Sequence, residues 1–394
     1  MQPYRRLNET GVVMRSGKFF RRFSLWQAVA LIVSGTIGAG ILALPYAVAQ
    51  VGMSIGLLYL FGLGLLMMGM NLLLGEIVIR TNRPLHLPGL AEKYFGKSGK
   101  LVMSTVMYSL LGGVLVVYII GQGDILSALL GGSPKFWSIL FAILGSALII
   151  LGVRTVKTVE LFLVVTLLTI ILFLVFFSVP ELKVQHLQYF NLANLFLPYG
   201  IILFAFHGVT AVPEAHALLS NRNSLFRQAI FISSGIVMLI YILFTVVVVG
   251  VTGNETTEIA TIGLGFKLGS TIFLLGNIFA FLTMGTSFLM ISVALRDSLS
   301  WDFNLSVLGA SLLVCGLPFL IFLFGRQGFA STLDIVGGVF GSLDLLGILA
   351  IYWQARKKGD MGQKNFILHH SALLTIVLLL ALFFGTLYSM VKLF

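Results

Sequence analysis

Long apolar runs recur along the chain, separated by short polar and basic stretches. They span residues 25–50, 54–80, 101–130, 136–153, 158–180, 194–219, 226–251, 270–298, 304–325, 330–353 and 369–392. Each is near the roughly 20 residues that a helix needs to cross a bilayer core. The connections leave no room for a soluble domain. The pattern predicts an all-α polytopic membrane protein with about 11 transmembrane helices.

Two of the runs carry residues that oppose a continuous helix. The first holds "SGTIGAGILALP", with Gly35, Gly38, Gly40 and Pro45. The sixth holds "YGIILFAFHGVTAVPEAHALL", with Gly208 and Pro213. Glycine costs a helix interior about 1 kcal/mol against alanine, and proline about 3 kcal/mol. "GILALP" (40–45) and "GVTAVP" (208–213) share a glycine, four residues and a proline. Five spans separate them, so the two segments run in opposite directions. That is the sequence pointer to a transporter of two inverted five-helix repeats with broken first and sixth helices. The alternative is a pair of packing glycines with proline kinks, which membrane helices tolerate.

Unwound backbone at membrane depth cannot face lipid and must line a cavity. Helix amino ends present partial positive charge and carboxyl ends partial negative charge. A zwitterion needs both signs a few ångströms apart. The breaks therefore suit an α-amino acid. The amides near Gly38, Ala39 and Gly40 would take its carboxylate. The carbonyls near Thr36 and Phe204, Ala205 and Phe206 would take its ammonium, with His207 and Gly208 beside them.

Composition and charge sharpen the picture. Of 394 residues 58% are hydrophobic and 10% charged, against about 25% charged in a soluble domain. The net charge of +11 is not gathered on a soluble domain, so a basic membrane-facing side is expected rather than nucleic-acid binding. With the N-terminus inside, 20 of the 25 Lys and Arg residues fall on the inner side. This places the N-terminus in the cytoplasm and, with an odd number of spans, the C-terminus outside. The expected organisation is a cytoplasmic tail (1–24), a first repeat (25–180), a second repeat (194–353) and an eleventh helix (369–392). The lone Cys315 permits no disulfide within the chain.

"GTIGAGILALPYA" resembles the first-helix signature of the amino acid/auxin permease family and the related hydroxy and aromatic amino acid permeases. These belong to the amino acid–polyamine–organocation superfamily. "FAFHGVTAVPEA", "TSFLMISVALRD" (286–297) and "LDIVGGVFGSL" (333–343) resemble its sixth, eighth and tenth helices. The resemblance covers residues 24 to 353. It implies secondary transport of amino acids by alternating access in a bacterial or archaeal cell membrane, coupled to H+ or Na+, with no cofactor. In place of the small residues frequent in the aromatic permeases, the eighth helix continues with Met290, Ile291, Ser292 and Val293, which argues against an aromatic substrate. A membrane receptor of the same fold that binds amino acids without moving them is the alternative. A divalent-metal transporter is disfavoured, because the first break offers no metal ligand.

Thr283, Thr286 and Ser287 share one helical face. With the Ser34 and Ile37 carbonyls they match, by resemblance, an ion-coupling site; hydrogen bonding between helices explains them as well. Among the acids, Glu76 and Asp124 are expected at the interface and Asp334 in water. Asp344 is expected deeper and is the candidate for proton coupling. Glu214 and His216 are expected toward the inner pathway. No catalytic motif of a hydrolase, metalloprotease or nucleotide-binding enzyme is present.

Overall fold

The computed structural model describes residues 12–15, 18–21, 24–81, 85–151, 168–219, 222–303, 305–325, 328–360 and 371–392. Its body is helical: α1 (Ser24–Thr36), α2 (Gly40–Val51), α3 (Met53–Arg80), α4 (Leu87–Leu130) and α5 (Pro134–Leu151). After α6 (Leu168–Glu181) come α7 (Pro198–Ala205), α8 (Ala211–Leu218), α9 (Asn223–Thr252), α10 (Ala260–Leu268), α11 (Ser270–Phe303) and α12 (Val307–Phe324). The last two are α13 (Phe329–Lys358) and α14 (Ser371–Val391). Among the described residues eight helices are long and apolar enough to cross a membrane, nine when α1 and α2 count as one bent span. The sixth expected span is the pair α7 and α8. The fifth falls partly on residues 152–167, outside the described residues. The expected tail contains a departure from all-α structure, an antiparallel hairpin of β1 (Val12–Arg15) and β2 (Lys18–Arg21).

Burial sorts the helices. In the most apolar stretches of α5, α12 and α14 only 22%, 33% and 28% of residues are buried, against 67% in α13. Leu308, Leu312, Leu317 and Phe324 of α12 are exposed, as an apolar lipid-facing surface requires. The first turns of α4 form a short arm set off at Gly96 (φ 72°), a conformation glycine adopts without penalty. Inside, polar side chains find partners across helices. Gln122 donates to the Phe281 carbonyl at 2.7 Å, and the Tyr199 and Ser342 hydroxyls lie 2.8 Å apart.

The centre is a crossing of broken helices. α1 packs on α8, and α2 on α7. α13 lies against α7 through a π-helical turn, Val336–Gly341. A methyl on Gly337 would fall 2.7 Å from the Phe204 Cβ, so glycine there sets the approach.

Candidate functional site

The first break is a true interruption. α1 ends at Thr36, α2 starts at Gly40, and the two are bent by 58°. Among the described residues the amides of Gly38, Ala39 and Gly40 have no hydrogen-bond acceptor. The second break spans 206–210, where the amides of His207 and Gly208 close tight turns onto Phe204 and Phe206. Pro213 lies in the first turn of α8, where its missing amide costs no helical bond.

Close packing explains why these glycines are needed. A methyl on Gly35 would lie 2.6 Å from the Ala211 Cβ, and one on Gly40 would lie 2.6 Å from the Ala205 Cα. One on Gly208 would run into the Thr36 side chain and stand 3.1 Å from its Cα. Numbering rises along one helix as it falls along the other, so the crossing is antiparallel. Gly40 rests on the second break. Gly208, its counterpart in the other Gly-x4-Pro segment, rests on the first. Reciprocal contact of this kind is what a two-fold relation produces.

The crossing forms the wall of a cavity of about 1060 Å³. Thirteen of the expected site residues line it: Ser34, Thr36, Ile37, Gly38, Ala39, Gly40, Phe204, Ala205, His207, Thr283, Thr286, Ser287 and Asp344. Phe206 and Gly208 do not. Gly208 is occupied by Thr36. Phe206 lines a separate hole of about 10 Å³ with Asn71 and Ser234. At one end the cavity stops at Gly40, Phe204 and Asp344; at the other it reaches exposed Glu214 and the Arg296–Asp297 pair. It therefore opens on the face where α1 starts and α3, α5 and α11 end. Leu110, Leu111, Val114, Met107 and Met290 make much of the remaining wall apolar.

Charge enters the closed end through one contact. His207 Nε2 lies 3.3 Å from Asp344 Oδ2, with Asp344 almost fully buried. The geometry is not that of a hydrogen bond, and both His207 ring nitrogens and Asp344 Oδ1 are without a hydrogen-bond partner among the described residues. On α11 the Thr286 hydroxyl donates to its own helix, at the Leu282 carbonyl (2.8 Å) and the Thr283 carbonyl (3.1 Å).

Several residues stand differently from expectation. Glu76 is not at a wet interface. It is buried, 2.7 Å from the Arg80 guanidinium, and accepts from the Tyr352 hydroxyl at 3.2 Å. A buried carboxylate needs such partners. Asp334 is buried too, and Lys392 Nζ bonds it at 2.5 Å. Asp124, by contrast, is half-buried near the end of α4, which leaves its expected interfacial place standing. Glu214 lines the cavity, whereas His216 stacks edge-on against Phe226. Two tyrosines escaped the sequence reading. The Tyr118 hydroxyl lies 3.9 Å from where a Gly38 methyl would be, and Tyr118 lines the cavity with Ser287. Tyr241 donates to carbonyls of both breaks.

A helical membrane body with two broken, crossed helices around a central cavity defines a permease-type architecture. Over residues 21–388 the chain matches the tryptophan/tyrosine permease family, and it belongs to that family. It is 29% identical over 353 residues to the tyrosine-specific transport system 1 of Haemophilus influenzae, covering 83% of this chain and 87% of that one. It is 26% identical over 357 residues to glutamine transporter 2 of Aliivibrio fischeri, covering 84% and 89%. Among solved structures it shares the fold of MhsT in complex with L-phenylalanine, with a TM-score of 0.67, 15% identity and coverage of 95% and 98%.

Proposed function

We propose that this permease is a secondary active transporter that carries an α-amino acid by alternating access. The observation that carries the reading is the first break. Three amides without acceptors, at Gly38, Ala39 and Gly40, line the same cavity as the carbonyl-bearing residues Thr36, Phe204 and Ala205. An amino acid's carboxylate and ammonium are complementary to that pair of poles. The apolar wall of α4 and α11 suits a large uncharged side chain. Relatives named for tyrosine and for glutamine make an aromatic residue the first substrate to test and a carboxamide the second.

Protons are the proposed coupling ion. His207 and Asp344 meet at the closed end of the cavity, one at the second break and the other on the helix packed against it. A carboxylate and an imidazole with unmet hydrogen-bonding capacity are suited to exchange a proton with an incoming substrate. The hydroxyls of Thr283, Thr286 and Ser287 with the carbonyls of Ser34 and Ile37 are the corresponding sodium candidate. The basic face, onto which the cavity opens, is proposed to be cytoplasmic, with the C-terminus outside. Residues 25–180 and 194–353 are proposed as the two inverted repeats, and the eleventh helix as an addition to them.

The test is uptake of a labelled amino-acid panel into proteoliposomes, with proton and sodium gradients imposed separately. Accumulation of an amino acid driven by the proton gradient is expected. Binding without accumulation under either gradient overturns transport in favour of a receptor.

A further inference from the structure

The carbonyls that the two breaks release converge on a single group. The Tyr241 hydroxyl, on α9, donates to the Ala205 carbonyl at 2.8 Å and to the Thr36 carbonyl at 3.1 Å. Among the described residues no backbone amide donates to either carbonyl. A phenol has one proton, so the two bonds share it in a three-centre arrangement. Tyr241 is fully buried, and its ring stands edge-on to Phe206 with centroids 5.0 Å apart. An unmet carbonyl at membrane depth costs several kcal/mol, and here one hydroxyl meets two. No other described group is bonded to carbonyls of both breaks.

We propose that Tyr241 is a positioning residue of the substrate site: its hydroxyl ties the Thr36 and Ala205 carbonyls together and makes the two breaks a single joint. Each carbonyl keeps a second lone pair, and both residues line the cavity. The tie therefore sets the spacing and direction of the pole that meets the substrate's ammonium. It also fastens α9 to both broken helices, so that all of them move as one body. This inference rests on the reading that the breaks receive an amino acid, but the tie is observable without any substrate.

Tyr241→Phe removes the hydroxyl and keeps the ring against Phe206. Two measurements on the full-length protein in nanodiscs test it. The first is amide hydrogen exchange of the substrate-free protein over residues 36–41 and 205–210. The second is binding of the best-transported amino acid. Faster exchange in both segments together with about tenfold weaker binding, the equivalent of about 1.4 kcal/mol, is expected. Transport at saturating substrate should fall less than affinity. Unchanged exchange, or a change in only one segment, overturns the tie. Faster exchange in both with unchanged affinity overturns the positioning role. If wild type binds no amino acid, the functional reading fails, while the exchange measurement still decides the tie. Should Tyr241→Phe not fold, a fluorotyrosine at 241 keeps the hydroxyl as a stronger donor. It should slow exchange in both segments, and no slowing refutes the proposal.

Discussion

Replacing Gly40 by alanine adds one methyl group where, among the three glycines of the crossing, the facing backbone comes nearest. That methyl would stand 2.6 Å from the Ala205 Cα, 2.9 Å from its Cβ and 3.2 Å from its amide nitrogen. Carbon atoms rest comfortably at about 3.5–4.0 Å, so the helices must separate by about 1 Å. The obstructing atoms are largely backbone, which no rotamer change can clear. Overpacking of this kind costs about 1–3 kcal/mol, equivalent to about 5- to 150-fold in an equilibrium constant. That cost falls on the state in which the breaks are crossed as described, and the amides of Gly38, Ala39 and Gly40 move with it. Uptake in proteoliposomes should drop within that range, and the melting temperature of the purified protein should fall. Gly208→Ala should act in the same sense, because its methyl meets the Thr36 side chain. Gly62→Ala on α3 is the control, since a methyl there has open space around it and replaces glycine by a better helix former. Wild-type uptake and melting in Gly40→Ala would refute the argument that close backbone approach requires the glycine.

Other perturbations test the remaining assignments. Asp344→Asn and His207→Gln should each abolish proton-driven accumulation while sparing exchange of internal for external substrate, which needs only the loaded carrier to reorient. If sodium drives transport instead, Thr286→Val and Ser287→Ala should raise the sodium needed for half-maximal uptake several-fold, and no change in either would remove that cluster from coupling. In a Cys315→Ser background, Asn254→Cys should react with an impermeant thiol reagent on intact cells and Lys357→Cys only after permeabilisation; the reverse pattern overturns the orientation.

The breaks were legible in the sequence because glycine and proline are costly in an apolar helix and stand out there. Which residues of a break face the cavity was less so. Once the backbone leaves helical geometry, the 3.6-residue period no longer assigns a face. Hence Phe206 and Gly208 turned away while their neighbours did not. The buried acids were misread for another reason. Glu76 is satisfied partly by Arg80 one helical turn away and partly by Tyr352 on α13, and local context shows only the first. Lys392, the partner of Asp334, likewise arrives from α14. Tyr241 was invisible because, in an apolar run, tyrosine reads as one more aromatic residue. Its meaning lies in two distant carbonyls.

The reciprocal seating of Gly40 on Ala205 and Gly208 on Thr36 has a thermodynamic consequence. If, as proposed, the two halves are inverted repeats, the pivot they form has no built-in sense of rotation. On the proposed mechanism, nothing in the hinge itself favours import over export. Direction is then a property of the cell, set by which side holds more substrate and more protons. Reversing both gradients should make the same molecule an exporter through the same microscopic steps.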